Sequence, residues 1–272
     1  MDSSMPLLDL KPLPDWPDAR LGYDLDSDAK KPVLMLAHSL GVHRAMWMAA
    51  LPALRRRWRI LGYDLRGHGE SASVAASADS PLSVAILATD VLRMADQLGL
   101  ARFAFCGVSL GGLIGQWLGI HAPERIEQLF LANTAMKFGE VAAWNARIEL
   151  VRAQGLSPVI SGTLDRWFTA DFHRAQPERI TAIGDMLAGC SPAGYRACCA
   201  AVRDADFRST AARIHAPTLV LGGSFDPVST PTDSQALAAQ IPGAQYVELP
   251  AAHLSAVERP DLFSQAMLDF PA

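Results

Sequence analysis

The segment GVSLG at residues 107–111 places a serine between two glycines, in the pattern G-x-S-x-G. In this pattern the glycines allow a sharp turn from a strand into a helix, which lifts the serine hydroxyl above the sheet. A serine between glycines is often only a turn. Here an apolar segment, FAFC, precedes the motif and another, LIGQWLGI, follows it, as a nucleophile elbow requires. We therefore predict Ser109 as a catalytic nucleophile.

A serine hydroxyl is a weak nucleophile at neutral pH, and it needs a histidine base that a carboxylate orients. In chains that carry this elbow, the order is serine, acid, histidine. Among the four histidines that follow Ser109, only His253 comes directly after the last predicted strand, in the short loop PAAH. We predict His253 as the general base, with an exposed loop histidine as the alternative.

The predicted acid is Asp226, which follows the apolar segment TLVLGG in the loop SFDP. The stretch after the preceding strand, residues 133–135, carries no acid, and Asp233 fits the first turn of a helix. Because the loop of Asp226 lies at a strand's carboxyl end, its side chain can meet His253 there. The alternative is a turn residue before a proline.

Acyl transfer also requires donors for the developing oxyanion, and each such donor contributes about 3 to 4 kcal/mol to the transition state. One expected donor is the backbone N–H of Leu110, the residue after the nucleophile. The second should come from the loop HSLG at residues 38–41, where Leu40 is the best-placed residue. The alternative for this loop is an ordinary glycine-containing turn.

The elements that must position these residues alternate between apolar strands and helices. This alternation predicts an α/β fold with a mostly parallel, doubly wound sheet. Predicted strands span residues 20–25, 33–37, 58–63, 102–106, 126–131, 217–222 and 244–249. Predicted helices span residues 45–56, 83–98, 110–121, 233–240 and 260–270.

The alternation stops between residues 135 and 214, where the pattern is helical, with amphipathic stretches at 141–154, 159–168 and 179–188. We predict this segment to be a helical cap over the strand ends, where ligands bind in such sheets. The hydrolase core then comprises residues 20–134 and 215–272, and residues 1–19 form an N-terminal extension.

Composition narrows the class of protein. Half of the 272 residues are hydrophobic and the net charge is −4, which argues against disorder and against a basic surface for nucleic acid. Residues 103–123 carry no formal charge, but their five glycines favour a buried strand and helix over a membrane span. The expected partner is a small molecule.

The four cysteines, which lack metal-ligand spacing, are expected to be reduced thiols in the cytoplasm, and the N-terminus has no secretory pattern. No metal site is visible: His38, His43 and His68 are isolated from other ligands. No P-loop or dinucleotide fingerprint is found. The predicted chemistry is therefore cofactor-free.

Several stretches together resemble the 3-oxoadipate enol-lactonase family of the bacterial β-ketoadipate pathway: AHSLGVHRAMW, YDLRGHGES, FCGVSLGGLIGQWLGIHAPERIEQL, LANTAMKFG, WNARIE, GYRACCAAVRDADF and PGAQYVELPAAHLS. The resemblance covers about residues 23–270. It implies the α/β-hydrolase fold, opening of a five-membered enol-lactone that bears a carboxylate, the triad Ser109, Asp226 and His253, and the oxyanion amides of Leu40 and Leu110. The segment SFDPVSTP and the proline-rich start depart from the family pattern.

A substrate carboxylate in a buried pocket needs a cation or several hydrogen-bond donors. Arg147 and Arg203 lie in the cap stretches that carry the resemblance, and Arg44 beside the oxyanion loop is a third candidate. Trp144 and Trp167 could line the apolar side of the pocket, or could simply be cap core.

Three other enzymatic functions fit the same motifs: a general carboxylesterase or lactonase, a cofactor-free peroxidase-like relative, and a lyase that uses the serine and histidine for proton abstraction. A hydrolase-fold receptor without catalytic activity is an alternative from another class, but it would require a broken triad, and the sequence shows none. The oligomeric state cannot be read from the sequence.

Overall fold

The computed structural model describes residues 6–10, 19–73 and 82–271, and these form one central sheet. Its strands are β1 (Leu7–Leu10), β2 (Ala19–Leu25), β3 (Val33–Ala37), β4 (Arg59–Tyr63), β5 (Phe103–Val108), β6 (Ile126–Ala132), β7 (Thr218–Gly223) and β8 (Gln245–Leu249). The order across the sheet is β1-β2-β4-β3-β5-β6-β7-β8. β2 pairs antiparallel with β1 and β4, and the strands from β4 to β8 are parallel. The predicted α/β sheet is confirmed.

The longer helices lie between the strands or follow the last one, as in a doubly wound fold. The helices are α1 (Leu51–Leu54), α2 (Val84–Gln97), α3 (Leu110–His121), α4 (Val141–Gln154), α5 (Ser157–Trp167), α6 (Ala170–Ala175), α7 (Pro177–Gly189), α8 (Pro192–Asp204), α9 (Pro231–Gln240), α10 (Ser255–Glu258) and α11 (Pro260–Asp269). The single helix predicted over 45–56 is instead a 3-10 turn, Arg44–Trp47, followed by α1. Pro52 explains the interruption, because it lacks the N–H that a continuous helix would need there.

The core consists of two apolar layers, one on each face of the sheet. Alternate residues of β3 show the division, since Met35 packs with α2 and α3 while Leu34 and Leu36 pack with α11. Successive side chains of a strand point to opposite faces, so an uninterrupted apolar strand serves both layers. The sheet is therefore covered on both sides, and its strand ends are left to build a site.

The helices α4 to α8 all lie between β6 and β7. Residues 135–214, which the structure describes throughout, contain no strand, as the sequence pattern predicts. α4 and α5 begin and end close to their predicted bounds, whereas α6 and α8 lie within the segment predicted to be helical but were not singled out in it. In α8, Ser191 caps the helix by accepting a hydrogen bond from the N–H of Gly194, and Pro192 occupies the first turn.

At the N-terminus, part of the predicted extension joins the sheet. Leu7–Leu10 forms β1, whose residue Leu10 is buried and pairs with Ala19 of β2. Neither Pro81, predicted to help open α2, nor residues 11–18 belong to the described part of the chain; Ser83 does cap α2. The uncharged residues 103–123 form β5 and α3, and no helix in the described ranges is long and apolar enough to cross a bilayer.

Candidate active site

The candidate nucleophile Ser109 lies at a strained turn between β5 and α3. Its φ of 57° and ψ of −112° are conformations that a residue with a side chain rarely adopts, at a cost of about 1 to 3 kcal/mol. The backbone crowds closely around it: a Cβ on Gly107 would lie 2.0 Å from the carbonyl oxygen of Gly111, and a Cβ on Gly111 would lie 2.4 Å from that of Ala37. A residue larger than glycine therefore does not fit at position 107 or 111. Ser109 itself is 8% exposed.

The structure places His253 and Asp226 in direct contact. Nδ1 of His253 lies 2.8 Å from Oδ2 of Asp226, and the two residues are 1% and 3% exposed. An ionised carboxylate can only accept, so Nδ1 is the donor and Nε2 is left with a free lone pair. This is the tautomer that a general base next to a serine needs.

The surroundings of Asp226 favour its ionised form. Its Oδ1 accepts the N–H groups of Val228 and Ser229 at 2.7 and 3.0 Å, and its Oδ2 accepts the Ser229 hydroxyl at 2.8 Å. Burial alone would raise the pKa of Asp226, but the interaction with His253 and these hydrogen bonds outweigh it and lower the pKa. The carboxylate can thus stabilise a positive charge on His253.

The Ser109 hydroxyl makes no hydrogen bond with any residue in the described ranges. Serine–histidine contacts are commonly long in the absence of substrate. The backbone of Ser109 instead bonds to the end of β6 and the loop after it, because its N–H donates to the carbonyl of Ala132 at 3.0 Å and its carbonyl accepts the Thr134 hydroxyl at 2.9 Å. The three predicted residues therefore come from neighbouring strand ends at one edge of the sheet.

Asn133 joins these strand ends by side-chain hydrogen bonds. It was not predicted as a site residue because it is not an acid. Its Nδ2 donates to Asp226 Oδ2 and to the carbonyl of Ala252, each at 3.1 Å, while its Oδ1 accepts the hydroxyl of Ser255. It also has a positive φ of 43°. Asparagine tolerates this region better than most residues, and its position directly after a predicted strand was the available signal.

Glu258 is a second residue that the sequence did not indicate. Its buried carboxylate accepts the N–H of Ala252, next to His253, at 3.0 Å and also accepts the hydroxyl of Thr169 between α5 and α6. The N–H of Leu254 donates to the carbonyl of Trp167 at 3.1 Å. The loop that carries His253 is therefore attached to the helices between β6 and β7.

The expected oxyanion donors occupy suitable positions in the backbone. Leu110 is the first residue of α3, where helical N–H groups have no partner within the helix. Leu40 lies in the loop after β3. Neither N–H donates a hydrogen bond to any residue that the structure describes. Both donors are therefore available to a ligand.

Two fully buried histidines join the loop after β3 to the loop after β4. Nε2 of His68 accepts the N–H of Gly41, and Nε2 of His38 accepts the N–H of Leu65, both at 2.9 Å. Their Nδ1 atoms face the backbone carbonyls of Arg66 and Ser39. Within the described residues, no three His, Cys, Asp or Glu side chains are grouped as a metal site.

Burial lowers the pKa of His38 and of His68 to about 3, and in His68 the neighbouring His38 adds to the effect. Both are neutral in the folded protein and bind a proton on unfolding once the pH is below about 6.5. We expect the free energy of unfolding to decrease as the pH falls from 7 to 5, by up to about 1.4 kcal/mol per pH unit for each histidine. Urea unfolding of wild type and of His68→Gln measures this, and an equal slope in both proteins would contradict it.

Among the candidates for binding a carboxylate, Arg147 on α4 is the one without an acidic partner in the described residues. Its guanidinium donates to the hydroxyls of Tyr195 and Thr163, each at 2.8 Å, and lies over the Tyr195 ring. Arg203 pairs with Asp204 through two hydrogen bonds of 2.7 Å.

Arg44 is surrounded by three carboxylates, those of Asp24, Asp64 and Glu70. This arrangement leaves it little capacity for a substrate carboxylate. Of the candidate aromatic residues, half-buried Trp144 donates its indole N–H to the carbonyl of Phe138 at 2.8 Å.

Comparison with known proteins decides the family. The alpha/beta hydrolase fold family matches residues 32–154. Over 263 residues, 97% of each chain, the protein is 40% identical to 3-oxoadipate enol-lactonase 2 of Acinetobacter baylyi. The chain belongs to the 3-oxoadipate enol-lactonase family of α/β hydrolases. The crystal structure of the enol-lactonase from Burkholderia xenovorans LB400 is 37% identical with a TM-score of 0.88, covering 93% of this chain and 96% of that one.

A hydrolase from Pseudomonas aeruginosa PA01 is also similar over nearly the whole chain, at 42% identity with a TM-score of 0.92 and 99% coverage of each chain. Because the similarity to these two structures covers 93% and 99% of the chain, it extends over α4 to α8 and over the strands before and after them. The resemblance stated from the sequence motifs is thereby confirmed over 97% of the chain.

Proposed function

We propose that the protein is a serine hydrolase that opens 3-oxoadipate enol-lactone to 3-oxoadipate, within the β-ketoadipate pathway of aromatic-compound breakdown. One observation carries the chemistry: a buried, correctly oriented His253–Asp226 pair lies at the same sheet edge as Ser109 in its strained elbow. The substrate assignment is supported by the names of the relatives with 40% and 34% identity, both 3-oxoadipate enol-lactonases of Acinetobacter baylyi.

In the proposed mechanism, Nε2 of His253 takes the hydroxyl proton of Ser109 while Oγ attacks the lactone carbonyl carbon. The N–H groups of Leu40 and Leu110 stabilise the resulting oxyanion. The ring C–O bond then breaks, and the departing enol oxygen receives the proton from His253. Water, deprotonated by His253, hydrolyses the acyl-enzyme, and the enol tautomerises to the ketone.

We propose that residues 135–214 act as a cap on a core made of residues 20–134 and 215–272. Two contacts between α8 and the core support this division. A Cβ on Gly67 would lie 2.3 Å from the Cα of Gly194, and the Tyr195 ring lies close enough to Gly41 that a Cβ there would be 3.1 Å from Cε2. The cap therefore reaches the oxyanion loop itself.

Arg147 is our candidate for binding the carboxylate of the lactone, with Trp144 and Arg203 as less well-supported candidates. Tyr195, which holds the Arg147 guanidinium, lies against the oxyanion loop at Gly41. A second guanidinium, that of Arg166, is close by: burial and the charge of Arg147 lower its pKa. Two neighbouring cations produce a positive potential that an anionic substrate can neutralise.

We expect Arg147→Met to raise the KM for the enol-lactone about 10- to 100-fold, since a charge-assisted hydrogen bond contributes about 1.5 to 3 kcal/mol. Hydrolysis of a neutral aryl acetate should change little, because that substrate lacks the carboxylate. Steady-state kinetics on both substrates measure the difference, with Arg203→Met for comparison. If Arg203→Met alone raised the KM, the carboxylate would bind at Arg203 instead.

The substrate assignment is tested by comparing the ultraviolet loss of purified enol-lactone with hydrolysis of neutral aryl acetates. We expect kcat/KM to be much higher for the lactone. Equal efficiency on both would identify a general carboxylesterase. Failure of a fluorophosphonate to label Ser109, together with no turnover of either substrate, would instead indicate a binding protein with this fold.

We also propose that the enzyme acts in the cytoplasm. Its four cysteines, Cys106, Cys190, Cys198 and Cys199, are all free and buried. Proteins of oxidising compartments more often use their cysteines in disulfides. Burial raises the pKa of Cys190 to about 12 and that of Cys199 likewise, so these thiols resist oxidation.

A further inference from the structure

In the loop that supplies the proposed oxyanion donor Leu40, the next residue is a glycine with a left-handed backbone conformation. Gly41 has a φ of 86°, in a region that glycine adopts at little cost. Its peptide N–H belongs to the peptide unit that begins at the carbonyl carbon of Leu40. Rotation of that unit changes ψ of Leu40 and φ of Gly41. The donor N–H of Leu40 belongs to the preceding peptide unit, and the two units share the Cα of Leu40, so holding one of them restrains the residue that carries the donor.

One side chain opposes this rotation. Nε2 of His68 accepts the Gly41 N–H at 2.9 Å, and its Nδ1 donates to the carbonyl of Arg66 at 2.9 Å. The carbonyl can only accept, so the hydrogen on Nδ1 fixes the tautomer in which Nε2 is an acceptor. His68 is fully buried and its ring lies 5.2 Å from that of His38. Because the imidazole is buried against its neighbours, a water molecule cannot replace the Gly41 N–H as its hydrogen-bond partner.

The loop of His68 is itself held in place. The N–H of Ser191, which precedes α8, donates to the carbonyl of Gly67 at 3.3 Å. Ser71 donates its hydroxyl to the carbonyl of Asp64 at 2.9 Å and accepts the N–H of Gly22 at 3.0 Å. His68 is therefore held in place by its own loop. Its Nε2 atom in turn restrains the backbone of Gly41.

We propose that His68 is a positioning residue for the oxyanion hole, which acts through the Gly41 amide without touching the substrate. The proposal rests on the proposed serine-hydrolase function, but not on which ester or lactone is hydrolysed. The proposal requires only that Nε2 of His68, by accepting the Gly41 N–H, holds the peptide unit between Leu40 and Gly41 and with it the Cα of Leu40. A displacement of about 1 Å in a catalytic group can lower the rate about 100-fold.

Two neutral substitutions separate this role from a structural one. His68→Gln places an amide oxygen the same number of bonds from Cβ as Nε2, so it can still accept the Gly41 N–H. His68→Asn is shorter: it can donate to the carbonyl of Arg66, as Nδ1 does, but cannot reach Gly41. His215→Asn is the matched control, since His215 is exposed in the loop before β7.

We expect His68→Asn to lower kcat about 10- to 100-fold with KM within about two-fold of wild type. Its affinity for a trifluoromethyl ketone, whose serine adduct carries an oxyanion, should fall by the same factor. His68→Gln should retain kcat within about three-fold, and His215→Asn should behave as wild type. Equal kcat in His68→Asn and wild type, or equal losses in the Asn and Gln variants, would overturn the proposal.

A measurement on the wild type covers the case in which the variants fold poorly. In protein labelled with 15N-glycine, the Gly41 amide should exchange with solvent as slowly as amides within β3, and fast exchange would overturn the proposal. The proposed function fails separately, if the wild type hydrolyses neither the lactone nor an aryl acetate and Ser109 is not labelled by a fluorophosphonate.

Discussion

Ser109→Ala is expected to lower kcat for the enol-lactone by about 10⁵- to 10⁶-fold, because no other group in the site can form the acyl-enzyme. The substitution keeps Cβ, so the strained backbone at the elbow and the packing of Gly107 against Gly111 are unchanged. The residual rate should still exceed the uncatalysed one by about 10³-fold, through the oxyanion donors and binding. Ultraviolet loss of the lactone at high enzyme concentration measures this.

Ser224→Ala is a suitable control for this experiment. Ser224 lies in the loop after β7, two residues before Asp226, but its hydroxyl bonds to Glu248 and to the carbonyl of Leu249 and to no residue of the candidate triad. We expect its activity to match wild type. Retention of more than a few per cent of activity in Ser109→Ala, with the fold confirmed by thermal unfolding, would refute the covalent mechanism.

The second large effect is expected for Asp226→Asn, at about 10⁴-fold in kcat. The asparagine Oδ1 can still accept the N–H groups of Val228 and Ser229, so the loop should keep its shape. Its amide would donate to Nδ1 of His253, which moves the imidazole proton to Nε2. That nitrogen then faces Ser109 as a donor and cannot remove the hydroxyl proton.

Asp233→Asn separates this effect from a general loss of negative charge. Asp233 belongs to the capping box of α9, where it pairs with Thr230 at the protein surface. We expect this variant to keep its activity. The pH dependence of kcat for Asp226→Asn provides a further check. If activity rises with hydroxide concentration, the variant has lost its general base, whereas an unfolded site would stay inactive at every pH.

Each candidate catalytic side chain is set in the sequence by two independent constraints. Ser109 has a motif with a strand before it and a helix after it, and His253 and Asp226 each follow a predicted strand in the order that the elbow demands. The carboxyl ends of parallel strands meet at one edge, so the order along the chain already implies proximity in space.

The residues that support the site could not be predicted in the same way. Asn133 and His68 make hydrogen bonds to backbone groups that are distant along the chain, and Glu258 accepts the hydroxyl of the distant Thr169. Such partners depend on the register of the strands and on how α4 to α8 pack on the rest of the chain, neither of which local periodicity encodes. The sequence marks these three only as polar residues near strand ends or in loops.

Secondary structure was missed where local composition and tertiary context disagree. α8 contains a glycine and two adjacent cysteines, which lower its intrinsic helix propensity, yet its residues Tyr195, Cys198 and Cys199 are almost fully buried. β1 has only four residues and is held by pairing with β2 rather than by its own pattern. In both cases packing against the rest of the protein determines the conformation.

The contact between Gly67 and Gly194 has a consequence for protein engineering. Because the two backbones meet with no room for a Cβ on either side, a segment grafted from a related enzyme in place of α4 to α8 must bring a glycine to the position of Gly194. A library that diversifies α8 to change substrate preference should leave this position untouched.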